Sequence, residues 1–113
     1  MKAGDVVLAA LSQANDEIKL RPAILLCQFP PFGDWLACGI STQVRHFVPE
    51  FDEIVAPADA DFSDSGLRQE SVVRLGFLGT LTRSQIGGTL GYTGPDRVAR
   101  LRDRLARHLR PET

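Results

Sequence analysis

Two apolar runs, Ala23-Ile24-Leu25-Leu26-Cys27 and Trp35-Leu36-Ala37-Cys38, flank Phe29-Pro30-Pro31-Phe32-Gly33-Asp34. No strand ladder passes through that break, because two prolines remove backbone donors and Gly-Asp signals a turn. The chain must therefore be built from short strands: residues 6–11, 23–29 and about 35–44, with a polar loop over 12–19. A further extended piece is expected around Ile54-Val55, a turn or single helical turn over 61–66, and a strand over 71–78. Residues 81–90 should hold one more short strand or helical turn, with Gly87-Gly88 as punctuation. The end of the chain changes period. Thr93-Gly94-Pro95-Asp96 is a helix start, and Val98, Leu101, Leu105 and Leu109 then recur at helical spacing. Several strands closed by one helix predict a mainly β domain, a small barrel-like sheet with a packed C-terminal α-helix.

Alternation assigns faces within these strands. In the third, Leu36, Cys38, Ile40, Thr42 and Val44 form the expected core face. Trp35, Ala37, Gly39, Ser41, Gln43 and Arg45 face the other way, so Ser41 rather than Thr42 looks outward. In the strand over 71–78, Ser71, Val73, Leu75 and Phe77 share one face and leave Arg74 and Gly76 on the other.

The chain has 113 residues, enough for one domain with a real core, and a net charge of -1. That charge argues against wholesale electrostatic binding of nucleic acid, but it is unevenly spread. Residues 50–64 carry only acids, whereas Arg97, Arg100, Arg102, Arg104, Arg107 and Arg110 crowd the last stretch. Cys27 and Cys38 have neither redox-pair nor zinc-ligand spacing and are expected as buried free thiols. With no signal peptide and no membrane-length apolar stretch, a cytoplasmic protein is expected.

Arg21 is the residue most in need of a purpose. It stands in Lys19-Leu20-Arg21-Pro22 at the mouth of the second apolar run, and Pro22 holds it in an extended backbone. Taken alone it is a surface cation at a strand end.

In order along the chain, Gly4-Asp5-Val6-Val7-Leu8, Arg21-Pro22-Ala23-Ile24-Leu25-Leu26, Ile40-Ser41-Thr42-Gln43, and Gly66-Leu67 followed by Ser71-Val72-Val73-Arg74 resemble the PemK/MazF toxins. The resemblance covers residues 1–113 as a single domain. It implies an SH3-like small barrel, a homodimer, and a cognate antitoxin that lies across the dimer. It also implies cleavage of single-stranded RNA, without metal or cofactor, to a cyclic phosphate and a 5'-hydroxyl.

By the resemblance Arg21, Ser41 and Arg74 are the catalytic set, and Thr42, Gln43, Lys19 and Trp35 bind substrate. The chemistry suits them: a guanidinium fork binds phosphate oxygens and a hydroxyl can orient them. Arg74 could equally pair with an acid of residues 50–64. Gly76 departs from the pattern, since some members carry there an Asp that serves as candidate base. Asp16 and Glu17 are the nearest acids in sequence. His46 falls on the wrong face of an unbroken strand, and His108 belongs to a solvated basic helix. Phe29, Phe32 and Trp35 are open to three roles: stacking on bases, covering the barrel end, or meeting a second subunit. The rival reading is a non-catalytic toxin that binds a protein, as the similarly folded CcdB toxins do, or a degenerate interaction module.

Overall fold

The computed structural model describes residues 1–12 and 18–111. Six strands, β1 (Asp5–Ser12), β2 (Ile18–Phe29), β3 (Asp34–Ser41), β4 (Glu53–Val55), β5 (Ser71–Leu81) and β6 (Ile86–Tyr92), form one antiparallel sheet. Two helices accompany it, the single turn α1 (Phe62–Ser65) and the long α2 (Pro95–Leu109). The strand order β4-β5-β3-β2-β1-β6 leaves β4 and β6 as unpaired edges, so the sheet is not closed into the expected barrel. It is strongly curled instead. A Cβ on Gly79 of β5 would lie 3.0 Å from Leu11 Cδ2 of β1, although β3 and β2 separate those strands in the ladder.

Curling gives the sheet two cores. Val6, Ile24, Leu26, Cys38, Ile40, Val73 and Leu75 cover one face and pack under Leu101 of α2, with Leu105 half-buried beside them. Val7, Ala9, Leu11, Ala23, Leu25, Ala37, Leu81 and Trp35 pack against one another on the other. The face expected to build an outer groove is therefore largely interior. Pro95 opens α2 as anticipated, and the stripe holds through Leu101, whereas Leu109 is exposed.

Three departures from simple alternation follow from local hydrogen bonding and register. β3 stops at Ser41 because Ser41 Oγ accepts the Gln43 N–H (3.0 Å), a side-chain bond that competes with the ladder, and residues Val44–His46 then form a 3-10 turn. Thr42 is consequently exposed, not packed inward. In β5 the register against β3 slips between Cys38–Leu78 and Ile40–Val73, so residues 74–77 bulge. Leu75 enters the first core and Phe77 packs on the second, ending up on opposite sides rather than sharing a face. The Leu75 N–H turns to Asp52 Oδ1 (3.0 Å), which holds the bulge against the entry to β4. Finally, residues 81–90 contain both a 3-10 turn, Arg83–Gln85, and β6. Gly87-Gly88 lie inside that strand instead of punctuating it.

Three acids of residues 50–64, Glu53, Asp59 and Asp61, pair with three arginines of the basic helix. Arg97, 6% exposed, donates through Nε and Nη2 to Asp61 (both 2.9 Å), through Nη2 to Asp59 (3.1 Å), and through Nη1 to Glu53 (3.2 Å) and the Ile54 carbonyl (2.8 Å). Arg100 and Arg104 also pair with Glu53, at 2.9 and 2.7 Å. Burial pushes the Glu53 carboxyl up, but the Arg100 hydrogen bond and the charges of Arg100, Arg104 and Arg97 outweigh it and hold the group below the usual range. Asp61 precedes α1 yet makes no side-chain cap. Its carboxylate is committed to Arg97 and to the Gly94 N–H at the start of α2 (3.0 Å).

Candidate active site

The ends of β2 and β3 diverge from a common register. Their ladder begins at Ala23–Gly39, and carrying it two residues further places Arg21 across from Ser41. Arg21 is thus not at a strand mouth. It lies inside β2, paired with Ala9 of β1 on one side and beyond the end of the β3 ladder on the other. Pro22 is tolerated because this stretch lacks a β3 partner.

That opening is one wall of a cleft of about 630 Å³, a size ordinary for ligand sites. β2 contributes Lys19, Leu20, Arg21 and Pro22, and the end of β3 with the following turn contributes Ile40, Ser41, Thr42 and Gln43. A second wall comes from a separate segment, Gly66, Leu67, Arg68 and Gln69 after α1, and Ser71 and Leu90 complete the lining. Gly66 is required where it stands. Its φ is +75°, and a Cβ there would come within 2.2 Å of the Leu90 carbonyl oxygen.

Charge among the described residues lining the cleft is of one sign. Lys19, Arg21 and Arg68 line it, and no carboxylate or imidazole does among the described residues. Hydroxyls of Ser41, Thr42 and Ser71 and amides of Gln43 and Gln69 supply neutral polar contacts. Because Ser41 Oγ accepts from the Gln43 N–H, its own proton is left to donate. Such a surface can bind an anion and stabilise charge developing on it.

Five of the seven expected site residues, Lys19, Arg21, Ser41, Thr42 and Gln43, line this cleft together. Two do not. Trp35 is 7% exposed in the second core, between Gln28 and Leu81, because the curled sheet buries that face as well. It has no free face for a base. Arg74 is half-buried in the β5 bulge, outside the cleft, and among the described residues it pairs with no acid of residues 50–64. Asp16 and Glu17 lie outside the described residues. His46 is exposed, and His108 stacks on Phe51 at 4.6 Å, away from the cleft. Arg68 and Gln69 join the site although neither belongs to a recognisable motif. Their one sequence signal is their position directly after Gly66-Leu67.

A family model described as the PemK-like, MazF-like toxin of type II toxin-antitoxin systems matches residues 2–109. The chain belongs to this family of toxins. No curated protein matches the sequence. Among solved structures, the Mycobacterium tuberculosis toxin MazF-mt6 is 22% identical, with a TM-score of 0.65 over 91% of this chain and 93% of that one. An endoribonuclease in complex with its cognate antitoxin, from mycobacterial species, is 17% identical, with a TM-score of 0.69 over 99% of both chains. At such identities the likeness is one of fold. The PemK/MazF fold here is mainly β with a C-terminal helix, and among the described residues no helix is long and apolar enough to cross a membrane.

Proposed function

We propose that this PemK/MazF toxin is an endoribonuclease that cuts single-stranded RNA in the cleft between β2, β3 and residues 66–69. The observation that carries the reading is the cleft that gathers the cations Lys19, Arg21 and Arg68 with the hydroxyls of Ser41 and Thr42. A phosphodiester is the anion that suits a guanidinium fork beside hydroxyl donors. In the proposed reaction the ribose 2'-oxygen attacks phosphorus and the bond from phosphorus to the 5'-oxygen breaks. The proton lost from the 2'-hydroxyl is matched by one gained at the leaving oxygen, giving a 2',3'-cyclic phosphate and a 5'-hydroxyl. Arg21 stabilises the negative charge on the phosphorane, and the Ser41 hydroxyl donates to a non-bridging oxygen and orients it. Lys19, Thr42 and Gln43 hold the strand. Arg74 has no part in this scheme.

The family supports a cytoplasmic homodimer controlled by an antitoxin, and the mycobacterial neighbour solved with its cognate antitoxin supports such a partner. Incubation of the purified protein with a long single-stranded RNA in EDTA tests the chemistry. Discrete fragments with cyclic-phosphate ends are expected, and Arg21→Ala should reduce their formation by at least about a hundredfold without altering the melting temperature. Intact RNA with the wild type would refute the enzymatic reading and favour a toxin that acts by binding protein.

A further inference from the structure

Arg68 differs from four of the five arginines of α2. Arg97, Arg100, Arg104 and Arg107 each pair with a carboxylate, whereas among the described residues no carboxylate pairs with Arg68, which is exposed and lines the same cleft as Arg21 from a separate segment. Its backbone is held on both sides. The Leu67 N–H donates to Ser65 Oγ (3.2 Å), and Ser71 Oγ donates to the Gln69 carbonyl (2.9 Å). Upstream, Gly66 is packed on the Leu90 carbonyl, and α1 is tied to α2 through Asp61 and Arg97. A short loop hydrogen-bonded on each side thus presents a long cation from a held backbone, which lowers the entropy lost when it engages an anion.

We propose that Arg68 is a substrate-binding residue that contacts a phosphate flanking the scissile one, so that the RNA strand is gripped from both walls of the cleft. The proposal rests on the reading of the cleft as an RNA site and adds the second wall to it. Arg21 acts on the reacting phosphate from β2, while Arg68, on the second wall, binds a neighbouring phosphate in ground and transition states alike. Its removal should therefore weaken binding without slowing chemistry.

Salt dependence separates this role from that of an ordinary surface arginine. Affinity for a single-stranded DNA oligonucleotide, which offers phosphodiesters but no 2'-hydroxyl, is measured across salt concentrations alongside RNA cleavage kinetics. In Arg68→Ala the slope of log affinity against log salt should fall by about 0.7, the value for one phosphate contact on a single strand. KM for RNA should rise about tenfold with kcat unchanged. Arg68→Lys should restore the slope, and both variants should melt with the wild type. Wild-type slope and KM in Arg68→Ala, or a loss confined to kcat, would overturn the proposal while leaving the endoribonuclease reading intact. A wild-type protein that neither binds nor cuts would bring down that reading, and this proposal with it.

Discussion

Arg97→Met should unfold the protein at markedly lower temperature, and the structure sets the size of the effect. All five guanidinium N–H groups are used, on Asp61, Asp59, Glu53 and the Ile54 carbonyl. Glu53 would keep Arg100 and Arg104, and Asp59 is sufficiently exposed to be rehydrated. The cost therefore falls on Asp61, whose side chain is 13% exposed and would retain only the Gly94 N–H. The Arg97 hydrogen bond is the main cause that holds this carboxyl at about 2 instead of its ordinary 3.8. That depression corresponds to about 2 kcal/mol. With the orphaned Ile54 carbonyl added, the total should be about 3 kcal/mol, or roughly 12 °C in melting temperature for a domain of this size.

The same pairing fixes a dependence on pH. The folded-state value of Asp61 lies below the unfolded one, so its contribution is complete above about pH 4 and is lost as pH falls toward 2. Thermal melts from pH 2 to pH 7 should show the wild type losing stability in that acid window and Arg97→Met losing less there. Arg102→Ala, on an exposed position of the same helix, should change stability by no more than about 0.5 kcal/mol. A loss below about 1 kcal/mol in Arg97→Met, with an acid limb as steep as the wild type's, would refute the view that this network anchors α2.

Gly66→Ala should destabilise the fold by about 1–3 kcal/mol through its positive φ alone, and by more through collision with the Leu90 carbonyl; urea denaturation reads the loss, and a neutral result would mean the loop can shift. Cys38 is buried, and burial, followed by the charge of Asp52, pushes its thiol up to about 12. Alkylation at pH 8 followed by peptide mapping should label the half-buried Cys27 and spare Cys38 until the protein unfolds.

What could be read from the sequence was whatever depends on neighbours in the chain. The α2 stripe and the Pro95 start are local, as are the breaks that delimit β1 and β3, and the structure has them close to where the pattern puts them. Trp35 was illegible because alternation assigns faces only where one face meets water, and the curled sheet buries both. The fates of Leu75 and Phe77 depend on a register slip against β3, which no spacing within β5 records. Arg97 reads as one solvated arginine of several. Its partners lie 36 to 44 positions away, and only the packing of α2 beside β4 selects it for burial.

The distribution of charge reconciles a net charge of -1 with the polyanionic substrate proposed for the cleft. Binding of RNA depends on the local field within about a Debye length, roughly 10 Å at 0.1 M salt. Glu53, Asp59 and Asp61 do not oppose that field if they are already paired, and Arg97, Arg100 and Arg104 pair them on the side of the sheet where α2 packs. Those arginines are for the same reason poor candidates for an RNA groove, despite their density in the sequence. The cleft keeps Lys19, Arg21 and Arg68 with no acid among its described lining residues. The basic helix thus bears on the cleft indirectly: it fixes Asp61 and α1, and through them the loop that carries Arg68.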